Sequence, residues 1–141
     1  LDGPTEGTQR GGYVLWQSSD SPPQAILIGT GSEVQTALEA GKLLAEQGID
    51  SRVVSLPSWE VFDEQPSEYR EQVLPSDIKA RVSVEAGRTL GWERYVGDGG
   101  RAIGIDHFGA SAPYGTIYKE FGITPKAVAE AATELVNRGN Q

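Results

Sequence analysis

The chain has 141 residues, with 12 Lys and Arg against 20 Asp and Glu for a formal net charge of −8, one His, and neither Cys nor Met. That length fits one domain, which by area scaling buries about two thirds of its unfolded surface and so builds a core without covalent staples. The composition excludes disulfide scaffolds, Cys-ligated metals, thiol catalysis and any multi-histidine site, and the acidic balance opposes sequence-neutral binding to nucleic acid or an anionic membrane.

Residues 1–12 carry four Gly, one Pro and no apolar periodicity, which reads as a linker from a preceding domain and makes the chain a piece of something longer. They hold no basic segment followed by an apolar one, so they do not read as a signal peptide. Residues 13–141 read as a single α/β domain. Tyr13–Trp16 predicts a first strand, the turn-rich Ser18–Pro23 follows, and Ala25–Gly29 predicts a second. Ala25–Ile28 is also the longest aliphatic run, far short of a membrane span. Ser32 and Gln35 form a capping box, Val34 to Ala45 repeats at helical spacing, and Gly48 supplies the stop. Arg52–Leu56 predicts the third strand, ended by Pro57. Short helical pieces follow, one with Trp59 and Phe62 on one side and one over Pro66–Leu74.

Ala80–Glu85 predicts the fourth strand, a short helix carries Leu90, Trp92, Tyr95 and Val96, and Arg101–Asp106 predicts the fifth. A helix is expected over Pro113–Phe121. Thr124-Pro125 caps the last one, which runs to Gly139. Strands alternating with amphipathic helices predict an α/β fold: a five-stranded, mostly parallel sheet with helices on both faces, Rossmann-like and three-layered. The first strand is expected to be the antiparallel one, because its link to the second is too short for a parallel crossover.

Gly29-Thr30-Gly31-Ser32-Glu33 invites a phosphate-binding reading, since a Gly-rich turn brings backbone amides to an anion at a helix start. The dinucleotide fingerprint requires Gly where Val34 stands, no Gly-Lys-Ser/Thr follows, and Glu33 would repel phosphate, so a structural turn is the favoured reading. Glu85, Arg88, Asp106, His107 and Ser111 fall at or after predicted strand ends, where open α/β sheets bind ligands. Asp106 and His107 are neighbours on one strand and point to opposite faces, and no Gly-x-Ser-x-Gly elbow presents Ser111 as a nucleophile. No catalytic, cofactor-binding or metal-binding residue is therefore assigned. Gly31, Ser32, Arg88, His107 and Ser111 stand as a candidate anion or regulatory site, and Trp92, Phe108 and Tyr114 as a candidate interface.

Specific strings then accumulate in order. Ile26-Leu27-Ile28-Gly29-Thr30-Gly31-Ser32-Glu33-Val34-Gln35, Arg52-Val53-Val54-Ser55-Leu56-Pro57-Ser58-Trp59, Phe62-Asp63 and Tyr69-Arg70 to Val73-Leu74-Pro75 resemble the C-terminal domain of the transketolase family. So do Val84-Glu85-Ala86-Gly87, Trp92 through Tyr95-Val96-Gly97, and Phe108-Gly109-Ala110-Ser111-Ala112-Pro113; Leu1-Asp2-Gly3 resembles the end of the linker before it. The resemblance implies a three-domain homodimeric enzyme of the pentose phosphate pathway. Such an enzyme moves a two-carbon ketol unit between sugar phosphates with thiamine diphosphate and Mg²⁺ (or Ca²⁺), held between its first two domains. The catalytic residues of such an enzyme map onto none of these positions, and His107 stands where a small polar residue is implied. The chain is thus expected to have a structural or regulatory role, to bind no cofactor alone, to be inactive alone, and to be cytoplasmic. Its expected partners are the missing domains and a second copy of the enzyme, with no nucleic acid or membrane. The alternatives are an anion- or nucleotide-binding regulatory module, or the equivalent domain of 1-deoxyxylulose-phosphate synthase or an oxo-acid dehydrogenase β subunit.

Overall fold

In the computed structural model, which describes residues 10–31, 33–85, 93–96, 100–104 and 124–139, strands and helices alternate along the chain. The strands are β1 (Tyr13–Gln17), β2 (Ala25–Gly29), β3 (Ser51–Ser55), β4 (Arg81–Glu85) and β5 (Arg101–Gly104). The helices are α1 (Glu33–Glu46), α2 (Trp59–Asp63), α3 (Ser67–Val73), α4 (Glu93–Val96) and α5 (Pro125–Gly139). The expected helix over Pro113–Phe121 lies outside the described residues.

All five residues of β2 are buried, and its side chains divide between two apolar clusters. Ala25 and Leu27 join Ala37, Ala40 and Leu44 of α1 and Val128, Ala132 and Leu135 of α5. Ile26 and Ile28 join Val54, Leu56, Phe62, Val73 and Tyr95. A strand covered on both faces has no polar face, which is why Ala-Ile-Leu-Ile reads as an unbroken apolar run. The architecture is α/β, with helices on each side of a mixed sheet.

The sheet order is β1-β3-β2-β4-β5. Strand β2 lies parallel to β3, with Leu27 opposite Val53, and parallel to β4, with Leu27 opposite Val82. Strand β5 runs parallel to β4, and β1 runs antiparallel to β3 on the edge. The partner of β1 is therefore β3, not β2. The connection crosses the amino end of β3 and is held there by polar bonds: Ser18 N donates to Ser51 O at 3.1 Å, Ser51 N to Ser18 Oγ at 3.0 Å, and Gln24 N to Asp50 O at 2.8 Å.

Local chemistry sets the helix ends. Helix α1 stops in a paired motif: Gly48 N donates to Ala45 O and Ile49 N to Leu44 O, both at 3.0 Å, with Gly48 at φ +81°. That left-handed turn satisfies the last carbonyls, and it costs least for glycine. Ser58 Oγ caps α2 by accepting from Val61 N at 3.3 Å. Thr124 Oγ1 caps α5 by accepting from Ala127 N at 3.1 Å, with Pro125 as the first helical residue.

Candidate functional site

Strand order reverses between β2 and β4. From β2 the chain crosses to β3 on one side, and from β4 it crosses to β5 on the other. Open α/β sheets place ligands outside the carboxyl ends of strands at such a point. Here that crevice is bounded by Gly29-Thr30-Gly31, the first turn of α1 and Glu85.

Packing accounts for the turn. A Cβ on Gly29 would lie 2.9 Å from Val34 Cα and 3.0 Å from Glu33 O, so the strand passes the helix at a distance that only glycine allows. Glu33 N donates to Thr30 O at 3.2 Å and Val34 N to Gly31 O at 3.3 Å, which engages two amides at the helix start within the turn itself. Glu33 is only 8% exposed. Its carboxylate complements the helix dipole and opposes an incoming anion. Of the candidate anion site, Gly31 sits in this turn with φ +60°, and a Cβ there would meet nothing. Ser32, Arg88, His107 and Ser111 lie outside the described residues, as do Trp92, Phe108, Tyr114 and the Ser32 half of the capping box.

A second concavity, of about 480 Å³, opens between α2, α3 and the start of β4 and is lined by Asp63, Arg70, Glu71, Ser76, Arg81 and Tyr95 among others. Its central cation serves the backbone. Arg81 Nε donates to Ile78 O at 2.9 Å, Nη1 to Tyr95 O at 2.6 Å, and Nη2 to Leu74 O at 3.2 Å and Pro75 O at 2.6 Å. Burial draws this guanidinium below its ordinary pKa, with Glu71 and Asp77 opposing. Glu71 accepts from Ser76 N at 2.7 Å and Ser76 Oγ at 3.0 Å, and these bonds hold its carboxyl below the usual glutamate range. Tyr95 Oη donates to Asp63 Oδ1 at 3.0 Å. These four bonds commit most of the donors of Arg81 to backbone carbonyls.

A third feature escaped sequence reasoning. Gly11 and Gly12, the end of the segment read as linker, are buried against α2 and α3. Gly11 O accepts from Ser58 N at 3.0 Å, Gly12 O accepts from Tyr69 Oη at 2.7 Å, and the Arg10 guanidinium sits 4.6 Å from the Tyr69 ring centroid. The available signal was the Gly11-Gly12 pair directly before a strand; nothing local pointed to Tyr69. Among the described residues no three His, Cys, Asp or Glu side chains are grouped to hold a metal ion. No helix there is long and apolar enough to cross a membrane.

Comparison with known proteins gives a consistent set. The family model described as the transketolase-like TK C-terminal domain matches residues 11–124. The chain is 59% identical over 132 residues to a protein named "Transketolase, chloroplastic" of Craterostigma plantagineum, covering 93% of this chain and 25% of that one. It is 51% identical over 136 residues to the transketolase of Mycobacterium leprae (strain TN), covering 94% of this chain and 20% of that one. The solved transketolase from Leishmania mexicana superimposes with a TM-score of 0.83 at 42% identity, covering 94% of this chain and 19% of that one. The chain thus spans about a fifth to a quarter of the length of these relatives.

Proposed function

Because the chain belongs to the transketolase family, as its C-terminal domain, we propose that it is the scaffolding domain of a longer enzyme whose reactive centre lies in the polypeptide before it. That enzyme moves a two-carbon ketol unit between sugar phosphates, within the pentose phosphate pathway, as a homodimer. One observation carries most of the weight: charged groups at the second concavity bond within the chain itself, Arg81 to four carbonyls, Glu71 to Ser76 and Asp63 to Tyr95. Groups so engaged hold a fold together and are poorly placed to move protons or bind substrate.

Thiamine diphosphate and its divalent metal are assigned to the preceding polypeptide. The described residues do not fit that cofactor. A diphosphate at the strand-order reversal would face the Glu33 carboxylate, with two amides of the helix start already engaged. Residues 1–12 are assigned as the linker and residues 13–141 as the domain, while Trp92, Phe108 and Tyr114 are assigned to an interface with the other domains or a second subunit. The compartment is taken as the cytoplasm. The lack of Cys supports a reducing environment, and the relatives named chloroplastic make a plastid the competing location.

A ketol-transfer assay with the 141-residue chain, thiamine diphosphate and Mg²⁺ tests this. No turnover is expected, and turnover proportional to chain concentration would overturn the assignment.

A further inference from the structure

We infer that Arg10-Gly11-Gly12 is a seated strap, and that Ser58, Phe62 and Tyr69 form a receptor on this domain that fixes the direction from which the preceding chain enters. A flexible Gly-rich tether leaves its backbone to water. Here both glycine carbonyls accept hydrogen bonds from the domain, one from Ser58 N on the cap of α2 and one from Tyr69 Oη on α3, so the strap ties two helices at once. Ser58 works in two directions, since its Oγ caps α2 while its N–H holds the strap.

The receptor is shaped for glycine. Gly11 has φ +83°, a conformation L side chains rarely adopt, and a Cβ on it would overlap Phe62 N and lie 2.5 Å from Ser58 O, both backbone atoms. A Cβ on Gly12 would lie 2.5 Å from Leu56 Cδ1 and 2.9 Å from Phe62 Cδ1. Arg10 adds a cation over the Tyr69 ring, 4.6 Å from its centroid, at the outer end of the strap. The seat follows from these contacts whatever reaction the longer chain performs.

Trypsin reads the seat directly, because it cuts after Arg10 only when the strap lifts, and it cuts after Lys42 only when α1 opens. With the 141-residue chain, cleavage after Arg10 should be far slower than in a synthetic peptide spanning Leu1–Asp20. Tyr69→Phe keeps the ring and removes the bond to Gly12. It should speed that cut by about threefold to tenfold, the change one hydrogen bond supplies, with the Lys42 cut unchanged. Gly11→Ala should speed it further; should that variant fail to fold, Tyr69→Phe decides alone. A wild-type rate equal to the free peptide's, an unaltered rate in Tyr69→Phe, or equal acceleration at Lys42 would each overturn the seat.

Discussion

Arg81 shows how much one side chain holds in this domain. Its fork reaches carbonyls at Leu74, Pro75 and Ile78 in the loop after α3, and at Tyr95 in α4. Leu74, Pro75 and Ile78 lie in the irregular backbone after α3 and Tyr95 in the last turn of α4, where carbonyls have no partner from a regular helix or sheet ladder. Arg81→Met keeps most of the stem and removes every donor. It is expected to lower stability in urea unfolding by about 2–4 kcal/mol, the range for losing several charged hydrogen bonds that water can partly replace. Arg81→Lys separates charge from geometry. An ammonium keeps the attraction of Glu71 and Asp77 but cannot match a planar fork with four acceptors, so less than half of the loss should be recovered. Full recovery by Lys would mean that charge, not the fork, holds the loop.

At the scale of elements, the unit formed by β2, its turn and α1 is where a binding motif and a packing motif are hardest to tell apart. Gly29 separates them. Because its missing Cβ faces Val34 Cα and Glu33 O, both backbone atoms, Gly29→Ala must push α1 away from the sheet. The expected cost is about 1–3 kcal/mol in urea unfolding, typical of overpacking. Calorimetric titration with inorganic phosphate should be flat in wild type and variant alike; a wild-type signal lost in Gly29→Ala would restore the anion reading of the turn. The elements themselves were largely legible. Thr124-Pro125 and Gly48 announce their helix boundaries through chemistry that acts within a few residues, and the α/β class follows from strands and helices taking turns. The strap was not legible. Gly12 and Tyr69 are 57 positions apart, and no periodicity couples them. Most of the candidate anion site falls in Gly- and Ser-rich segments where sequence gives residue types without placing them together.

Across the whole molecule, the feature that sequence left open is where β1 sits. A connection as short as Ser18–Gln24 forbids a parallel β1–β2 pair but not a hop over a third strand. Bonds from Ser18 and Gln24 to Asp50 and Ser51 make that hop, and their partners lie 26 to 33 positions away. The hop leaves β2 between two parallel partners, so its consecutive side chains serve opposite clusters, Leu27 one and Ile28 the other. A shared central strand couples those clusters: neither can lose its packing without exposing β2 to water. Leu44 lies in the first cluster and Leu56 in the second, each fully buried. Leu44→Ala and Leu56→Ala should each cost about 2–5 kcal/mol. Each should shift the same urea transition, with near- and far-ultraviolet circular dichroism remaining coincident. Since the two side chains belong to different clusters, the double variant should lose the sum of the single losses to within about 0.5 kcal/mol. Separate transitions for the two optical signals in either single variant would mean that β2 does not join the faces, and that the sheet carries two independently melting layers.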